Sequence, residues 1–143
     1  MGSYLDPGNK GFCESINSAI YVDKTELIEF TNSLIGTTEN FICNSRPRRF
    51  GKSYTANMLS AYYSKGCDSQ ELFSSLAVAK NSAYREYLNK FDVIHFDLQW
   101  FFSKEHIDET VDLITNTIVD ELKKIYEDVL SADVRTILDA LSQ

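Results

Sequence analysis

The feature that most constrains this chain is the junction between a short apolar run, Phe41–Cys43, and a helix-forming segment that opens with Gly51-Lys52-Ser53. The apolar run predicts a buried strand, and a polar loop containing Pro47 separates the two segments. A strand, a short loop ending in Gly-Lys-Ser and a helix together form the setting in which such a loop binds phosphate. Backbone amides and the helix dipole both favour an anion at a helix N-terminus. The sequence therefore predicts a phosphate-binding loop.

Each residue of the tripeptide has an expected role. Lys52 reaches the β- and γ-phosphates of a nucleotide, and the Ser53 hydroxyl joins the coordination shell of Mg²⁺. Gly51 lets the backbone approach the phosphates because it carries no Cβ. The usual pattern, G-x-x-x-x-G-K-[ST], has glycine where this chain has Arg46. The alternative is a basic loop that contains the tripeptide by chance.

Two separate motifs resemble the AAA-ATPase-like family. The segment RPRRFGKS, residues 46–53, is similar to the variant Walker A loop of that family, which commonly begins with arginine. The segment YVDKT, residues 21–25, resembles an element that the family places ahead of the loop. The resemblance covers most of the chain and implies ATP and Mg²⁺ as cofactors, Lys52 as the catalytic residue and Ser53 as the metal ligand. The residues that it implies for cofactor binding are Arg46, Pro47, Arg48, Arg49, Phe50, Gly51, Lys52, Ser53 and Tyr54.

The resemblance also implies the fold, an α/β P-loop NTPase of the AAA type with parallel strands flanked by helices. Val93–Phe96 is the second predicted strand. Residues 1–19 would form a lead-in, residues 20–102 the P-loop core and residues 103–143 a helical segment. Members of the family continue into an acidic Walker B strand, and many carry a nuclease-like domain of the PD-(D/E)XK type. We therefore expect residues 1–143 to be the N-terminal part of such a domain, with an incomplete sheet.

Apolar periodicity predicts helices around these strands. The predicted helical segments are 23–36, 53–65, a short helix from 68 to 76, 83–90, 103–126 and 132–141. Asp23 is expected to cap the first of them, in preference to a role in the nucleotide site. Asp97, after the second strand, invites a Walker B assignment, but Leu98 stands where such ATPases place glutamate, so a strand-end role is favoured. His95 and His106 lack partners at ligand spacing and are predicted to be structural.

Composition narrows the candidate functions. The net charge of −7 disfavours a general nucleic-acid surface, yet four of the fourteen basic side chains fall within residues 46–52, which suits a small polyphosphate. The three cysteines are odd in number and unpaired in spacing, which is typical of a reducing compartment. No apolar run approaches the ~18 residues of a membrane span. We therefore expect a soluble cytoplasmic protein.

Three functions remain open. The first is ATP binding without hydrolysis by this chain alone, because a Walker B acid is missing. If the Walker B region completed the domain, the protein would be an AAA-type ATPase. The second is a non-enzymatic helical interaction domain. The third is a nucleic-acid-associated module, disfavoured by the net charge. Besides the nucleotide, the expected partners are a second copy of the chain or the remainder of a full-length protein, and no membrane.

Overall fold

The computed structural model describes residues 3–45, 47, 49–101 and 110–128. Within these ranges the α-helices are α1 (Lys10–Ile16), α2 (Glu26–Leu34), α3 (Lys52–Tyr63), α4 (Gln70–Ser74) and α5 (Thr110–Ile125). Short 3₁₀ helices span Ala77–Lys80, Ser82–Arg85 and Leu98–Trp100. The chain divides into two compact units. Asp6–Val93 forms the first, and residues 3–5, 94–101 and 110–128 are the described part of the second.

The prediction of an α/β fold with parallel strands is wrong for the described residues, which form helices and no sheet. Phe41–Cys43 forms no strand or other regular secondary structure, and Phe41 is 95% exposed. In and beside the second predicted strand there are only isolated bridges, Leu5 to Ile94 and Ser64 to Phe91. Apolar runs of three or four residues do not form a strand alone, because a strand needs a neighbour along its length to satisfy its backbone hydrogen bonds.

Aromatic side chains from α1, α3 and α4 build the core of the first unit. The ring of Phe12 stacks on that of Phe73 with centroids 4.9 Å apart, and Tyr62 meets Phe73 edge-on at 5.5 Å. Met58 and Tyr62 are four residues apart on α3, so both face this core and both are fully buried. Burial of each such side chain contributes roughly 1.5–3 kcal/mol. This packing holds the middle and the C-terminal end of α3 in the core, whereas the first turn of the helix lies at the surface.

A hydrogen-bonded cluster joins α2 to α3. The side-chain amide of Asn32 donates to the Tyr62 hydroxyl at 2.8 Å, and the Tyr63 hydroxyl donates to the Asn32 carbonyl oxygen at 2.7 Å. Thr31 Oγ1 lies 2.7 Å from the same Tyr63 hydroxyl. Burial raises the pKa of Tyr63 to about 12, so its hydroxyl keeps the proton that it donates. The cluster fixes the position of α2 along α3.

The second unit is organised by the apolar face of α5. Ile118, Val119 and Leu122 pack with Leu5 in a small buried cluster. The Glu121 carboxylate accepts hydrogen bonds from the backbone amides of Tyr4 and Leu5, each at 2.9 Å. The periodicity that predicted a helix over 103–126 is therefore confirmed from Thr110 to Ile125, and its first turns lie outside the described residues.

Other predicted helices differ in extent. The short helix predicted over 83–90 is present only in its first part, as the 3₁₀ helix Ser82–Arg85, and residues 86–89 form bends and a turn. Asn89 has a φ of 56°, and its side-chain amide donates to the Ser64 carbonyl at 2.7 Å. Its side-chain oxygen accepts from the Ser69 amide at 2.9 Å. These tertiary hydrogen bonds hold Asn89 in a left-handed conformation that a helix excludes. The predicted helix 132–141 lies outside the described residues.

Candidate functional site

Gly51 makes the turn from the basic loop into α3. It is the N-cap of the helix, with φ 78° and ψ 29°, and its carbonyl accepts the Thr55 amide at 3.0 Å. A Cβ on residue 51 would stand 3.0 Å from the Lys24 ammonium nitrogen. Both the left-handed backbone and the crowding by Lys24 therefore favour glycine at this position.

The loop before Gly51 contains a second left-handed residue. Arg49 has a φ of 70°, a conformation that costs a residue with a side chain about 1–2 kcal/mol. The Phe50 amide donates to the Pro47 carbonyl at 3.4 Å, which closes a tight turn across residues 47–50. Backbone strain of this kind concentrates at sites that hold ligands. Arg46 and Arg48, the other arginines of the predicted binding segment, lie outside the described residues.

The YVDKT segment contacts the loop through Lys24. The Lys24 ammonium donates to the Phe50 carbonyl at 3.2 Å, and the Lys24 side chain is exposed. A second cation therefore stands beside the Gly-Lys-Ser turn, although it lies 26 residues before Phe50 in the sequence. The two motifs identified in the sequence meet at this hydrogen bond.

Asp23 stabilises the YVDKT segment through hydrogen bonds that its carboxylate accepts. One carboxylate oxygen accepts from the Thr25 amide at 2.8 Å and the Thr25 hydroxyl at 2.7 Å, and the other accepts from the Ala77 amide at 2.7 Å. Partial burial raises the pKa of Asp23, but the hydrogen bonds from Thr25 and Ala77 outweigh it and hold the pKa below its usual value. Thr25 is the N-cap of α2, so the prediction that Asp23 occupies that position is wrong. Asp23 instead ties the segment to residue 77.

The first turn of α3 carries the predicted phosphate ligands to the surface. Lys52, Ser53 and Tyr54 are all exposed, and this turn contains no acidic side chain. Carboxylates in a first turn offset the positive end of the helix dipole, so their absence leaves the field of this 12-residue helix available to an anion. Arg49 and Lys24 add positive charge at the same end.

A cavity of about 230 Å³ adjoins the loop. Its floor is formed by Phe12 of α1 and Met58 of α3, both almost completely buried. Lys24 and Arg49 also line it, and no carboxylate does so among the described residues. Burial, and secondarily the charge of Asp23, raises the pKa of Tyr21 to about 12, so this lining phenol stays neutral. Exposed apolar side chains form the rim: Ile20, Val22, Phe50 and Tyr54.

Asp97 has a local structural role. Its carboxylate accepts the Gln99 amide at 2.8 Å and caps the 3₁₀ helix Leu98–Trp100. His95 contributes its backbone amide to the Tyr4 carbonyl at 2.8 Å, and His106 lies outside the described residues. Nowhere in the described ranges do three or more His, Cys, Asp or Glu side chains gather as metal ligands.

The chain belongs to the family described as predicted AAA-ATPase, whose model matches residues 11–143. The family expected from the two motifs is thus confirmed. Searches of curated proteins and of solved structures gave no match. No helix within the described ranges is both long and apolar enough to cross a membrane.

Sequence reasoning did not assign Lys24 or the cavity to the site. Lys24 lies within the YVDKT motif, so the motif itself was the signal that the segment approaches the loop. The cavity was missed because Phe12 belongs to a segment predicted as a lead-in, whereas it lies on α1 and is 2% exposed. Its burial depends on Phe73 and Tyr21, which no local pattern connects to it.

Proposed function

We propose that residues 46–54 bind the phosphates of ATP together with Mg²⁺. The observation that carries the proposal is the left-handed Gly51 at the start of α3, whose first turn presents Lys52 and Ser53 at the surface and contains no acidic side chain. Membership of a family described as predicted AAA-ATPase supports the choice of nucleotide. Lys52 pairs with the β- and γ-phosphates, and the Ser53 hydroxyl faces the metal.

The donors present fit a triphosphate. The first amides of α3 point out of the helix without intrahelical acceptors, and Lys24 and Arg49 add charge on the side of Gly51. Mg²⁺ prefers hard oxygen ligands and commonly binds through substrate phosphates, which suits a site whose own metal ligand is the Ser53 hydroxyl. When bound, Mg²⁺ would neutralise charge on the phosphate oxygens.

We propose binding without turnover by this chain alone. Asp97, the acid nearest to a Walker B position in sequence, is engaged as the cap of a 3₁₀ helix and is followed by Leu98. Positioning of metal and water supplies most of the rate in phosphoryl transfer, so a site without such an acid binds but turns over slowly. A cytoplasmic location, and a second copy or the remainder of a longer protein as partner, remain proposals based on the cysteine count and the family.

A second candidate, an interaction domain, is favoured by the exposed apolar residues of α5. Val111 is 68% exposed although it lies on the same face of α5 as the buried Ile118 and Leu122, and Leu113, on the opposite face, is 53% exposed. Apolar surface of this kind marks contact sites. Under this alternative, loss of Lys52 leaves partner binding unchanged.

Calorimetric titration of Mg-ATP into the chain and its Lys52→Ala variant tests the proposal. We expect the variant to lose about tenfold to a hundredfold in affinity, because a charge-assisted contact to phosphate contributes roughly 1.5–3 kcal/mol. Lys10→Ala is the matched control, since Lys10 is an exposed lysine near the start of another helix. Equal ATP affinity in all three proteins, or no binding by the folded wild type, would overturn the proposal.

A further inference from the structure

We propose that Lys24 is a positioning residue of the phosphate site, which holds the peptide group between Phe50 and Gly51 so that the Gly51 amide faces the ligand. The Lys24 ammonium donates to the Phe50 carbonyl at 3.2 Å. This inference rests on the proposed function, because the ligand is the same polyphosphate. It gives Lys24 a role beyond its charge, since the residue acts through the backbone of the loop.

The hydrogen bond from Lys24 fixes the direction of an amide that Lys24 does not itself bind. The peptide between Phe50 and Gly51 is planar and trans, so its carbonyl and its N–H point to opposite sides. Because the carbonyl is turned toward the Lys24 ammonium, the Gly51 N–H points away from it. That N–H belongs to the amides at the start of α3 on which the proposed site depends.

Glycine at position 51 makes this hydrogen bond important. Glycine adopts positive and negative φ about equally well, so the residue that permits a φ of 78° also permits rotation of the peptide that precedes it. Rotation by about half a turn would exchange the positions of the Phe50 carbonyl and the Gly51 N–H. The site would then present a carbonyl oxygen, whose partial negative charge repels a phosphate. Lys24 opposes this rotation because it binds the carbonyl in its present direction.

Other contacts hold the peptide groups on either side. The Gly51 carbonyl accepts the Thr55 amide at 3.0 Å and the Thr55 hydroxyl at 3.1 Å, within the first turn of α3. The Phe50 amide donates to the Pro47 carbonyl at 3.4 Å. The peptide between Phe50 and Gly51 is therefore the one whose direction depends on the Lys24 side chain.

The backbone of Lys24 is fixed by its two neighbours. Thr25 is fully buried, and its hydroxyl accepts the Val78 amide at 3.1 Å. On the other side, the Asp23 carboxylate accepts the Ala77 amide at 2.7 Å. The exposed Lys24 side chain thus extends from an anchored segment, which reduces the conformational entropy that is lost when its ammonium binds the loop.

NMR of the ligand-free protein tests the orientation of this peptide directly. The scalar couplings between the amide proton and the α protons of Gly51 report its φ, which a change of nearby charge alone does not alter. We expect these couplings to change in Lys24→Met, which keeps a long apolar side chain without a donor, and to stay near the wild-type values in Lys24→Arg. Gly36, which also has a positive φ, is the internal control and should keep its couplings in every variant. Because the Lys24 side chain is exposed, we expect both variants to keep nearly the wild-type Tm.

Calorimetric titration of tripolyphosphate gives the second readout. We expect Lys24→Met to lose about tenfold in affinity, because a hydrogen bond from a charged donor is removed, and Lys24→Arg to recover most of it. The loss should persist at high salt, because the direction of a peptide group is not screened. Lys10→Met is the matched control, since Lys10 is an exposed lysine on α1.

The outcomes separate this inference from the proposed function. Unchanged Gly51 couplings in Lys24→Met, with a loss of affinity that disappears at high salt, would show that Lys24 acts by charge alone and would overturn the positioning role. Unchanged couplings and unchanged affinity would also overturn it, and the proposed function would stand. No binding of tripolyphosphate by the folded wild type would overturn the proposed function and this inference together.

Discussion

Gly51 and Gly36 both have a positive φ, 78° and 76°, but different surroundings. Alanine at either position imposes left-handed strain of about 1–2 kcal/mol. Only at residue 51 does the new Cβ also meet Lys24, at 3.0 Å. We expect Gly51→Ala to lower both the free energy of unfolding and the ATP affinity, and Gly36→Ala to lower the free energy of unfolding alone. Urea unfolding and calorimetry measure the two quantities, and unchanged ATP affinity in Gly51→Ala would contradict the role of this turn.

Asp23 stabilises the fold through three accepted hydrogen bonds, so its loss should be measurable although the side chain is exposed. We expect Asp23→Asn to lower the free energy of unfolding by about 1–2 kcal/mol near neutral pH. The folded-state pKa is below the ordinary value of 3.8, so the contribution of the carboxylate is present above that value. It is lost as the pH falls through the lower folded pKa.

Urea unfolding at a series of pH values tests this predicted pH dependence of the free energy of unfolding. The difference between wild type and Asp23→Asn should hold down to about pH 4 and shrink below it. A difference that grows as the pH falls would show that the carboxylate is not held in its ionised form by Thr25 and Ala77.

At the residue level the sequence located the loop but not its neighbours. Gly51, Lys52 and Ser53 were identified because the tripeptide precedes a helix, which is a local pattern. The resemblance of the YVDKT segment to a family element indicated that the segment approaches the loop, but the hydrogen bond from Lys24 was not predicted, since a contact across 26 residues depends on how α2 packs. Asp23 was predicted as the N-cap because an acidic residue just before a helix commonly has that role, whereas the N-cap is Thr25 and Asp23 accepts hydrogen bonds from Thr25 and Ala77.

At the scale of elements, the side chain of Asn32 on α2 forms the hydrogen bonds that fix the position of α2 along α3. In Asn32→Ala the hydroxyls of Tyr62 and Tyr63 each lose a partner inside the packed interface. We expect a loss of about 1–2 kcal/mol in the free energy of unfolding, because two hydrogen bonds are removed while the two hydroxyls keep Thr31 and the Tyr84 carbonyl as partners. Ser33→Ala, at the next position on the exposed face of α2, should change it by less than about 0.5 kcal/mol. Similar losses in both variants would argue against a special role for the cluster.

The same cluster predicts weakening at alkaline pH. The pKa of Tyr63 is raised by burial from 10 to about 12, so the folded protein holds the proton more tightly than the unfolded chain does. Its contribution to stability is complete below pH 10 and is lost as the pH rises from about 10 to about 12. We expect the free energy of unfolding to fall across this range, and to fall less steeply in Tyr63→Phe. If the free energy of unfolding falls equally steeply with pH in both proteins, the assignment of this effect to Tyr63 is contradicted.

Helices were predicted better than strands, for a physical reason. Helix α3 and the described part of α5 carry apolar residues at intervals of three or four, and a helix satisfies its backbone hydrogen bonds within the segment itself. The strands Phe41–Cys43 and Val93–Phe96 were inferred from apolar runs whose pairing depends on another segment. The helix predicted over 83–90 is present only in its first part because Asn89 forms tertiary hydrogen bonds that local propensity does not register.

At the scale of the whole molecule, an acidic chain carries a basic loop. The net charge is −7, yet four of the fourteen basic residues fall within positions 46–52 of the sequence. We expect Mg-ATP to bind with a modest salt dependence and duplex DNA to bind weakly at physiological salt, because binding to DNA requires many phosphate contacts. Fluorescence anisotropy with labelled DNA across a salt series measures this. Tight DNA binding with a steep salt slope would favour the nucleic-acid alternative.

Ligand binding should also stabilise the folded chain. A nucleotide at about 100 times its Kd contributes roughly 2.7 kcal/mol to the free energy of unfolding if it binds the folded state alone. We therefore expect Mg-ATP to raise the Tm by several degrees in the wild type and by clearly less in Lys52→Ala, whose affinity is tenfold to a hundredfold lower. Thermal unfolding followed by circular dichroism measures the shift, and an equal shift in both proteins would place the binding elsewhere.

The most direct measurement follows the backbone amides of the loop by NMR while tripolyphosphate is added. The account predicts saturable shifts of the Gly51, Lys52 and Ser53 amide resonances, because these groups point at the phosphates. Gly36, which also has a positive φ but lies outside the loop, should not shift. Saturable binding that leaves the Gly51–Ser53 amides unmoved, or no binding by the folded chain, would contradict the central claim that this turn is a phosphate site.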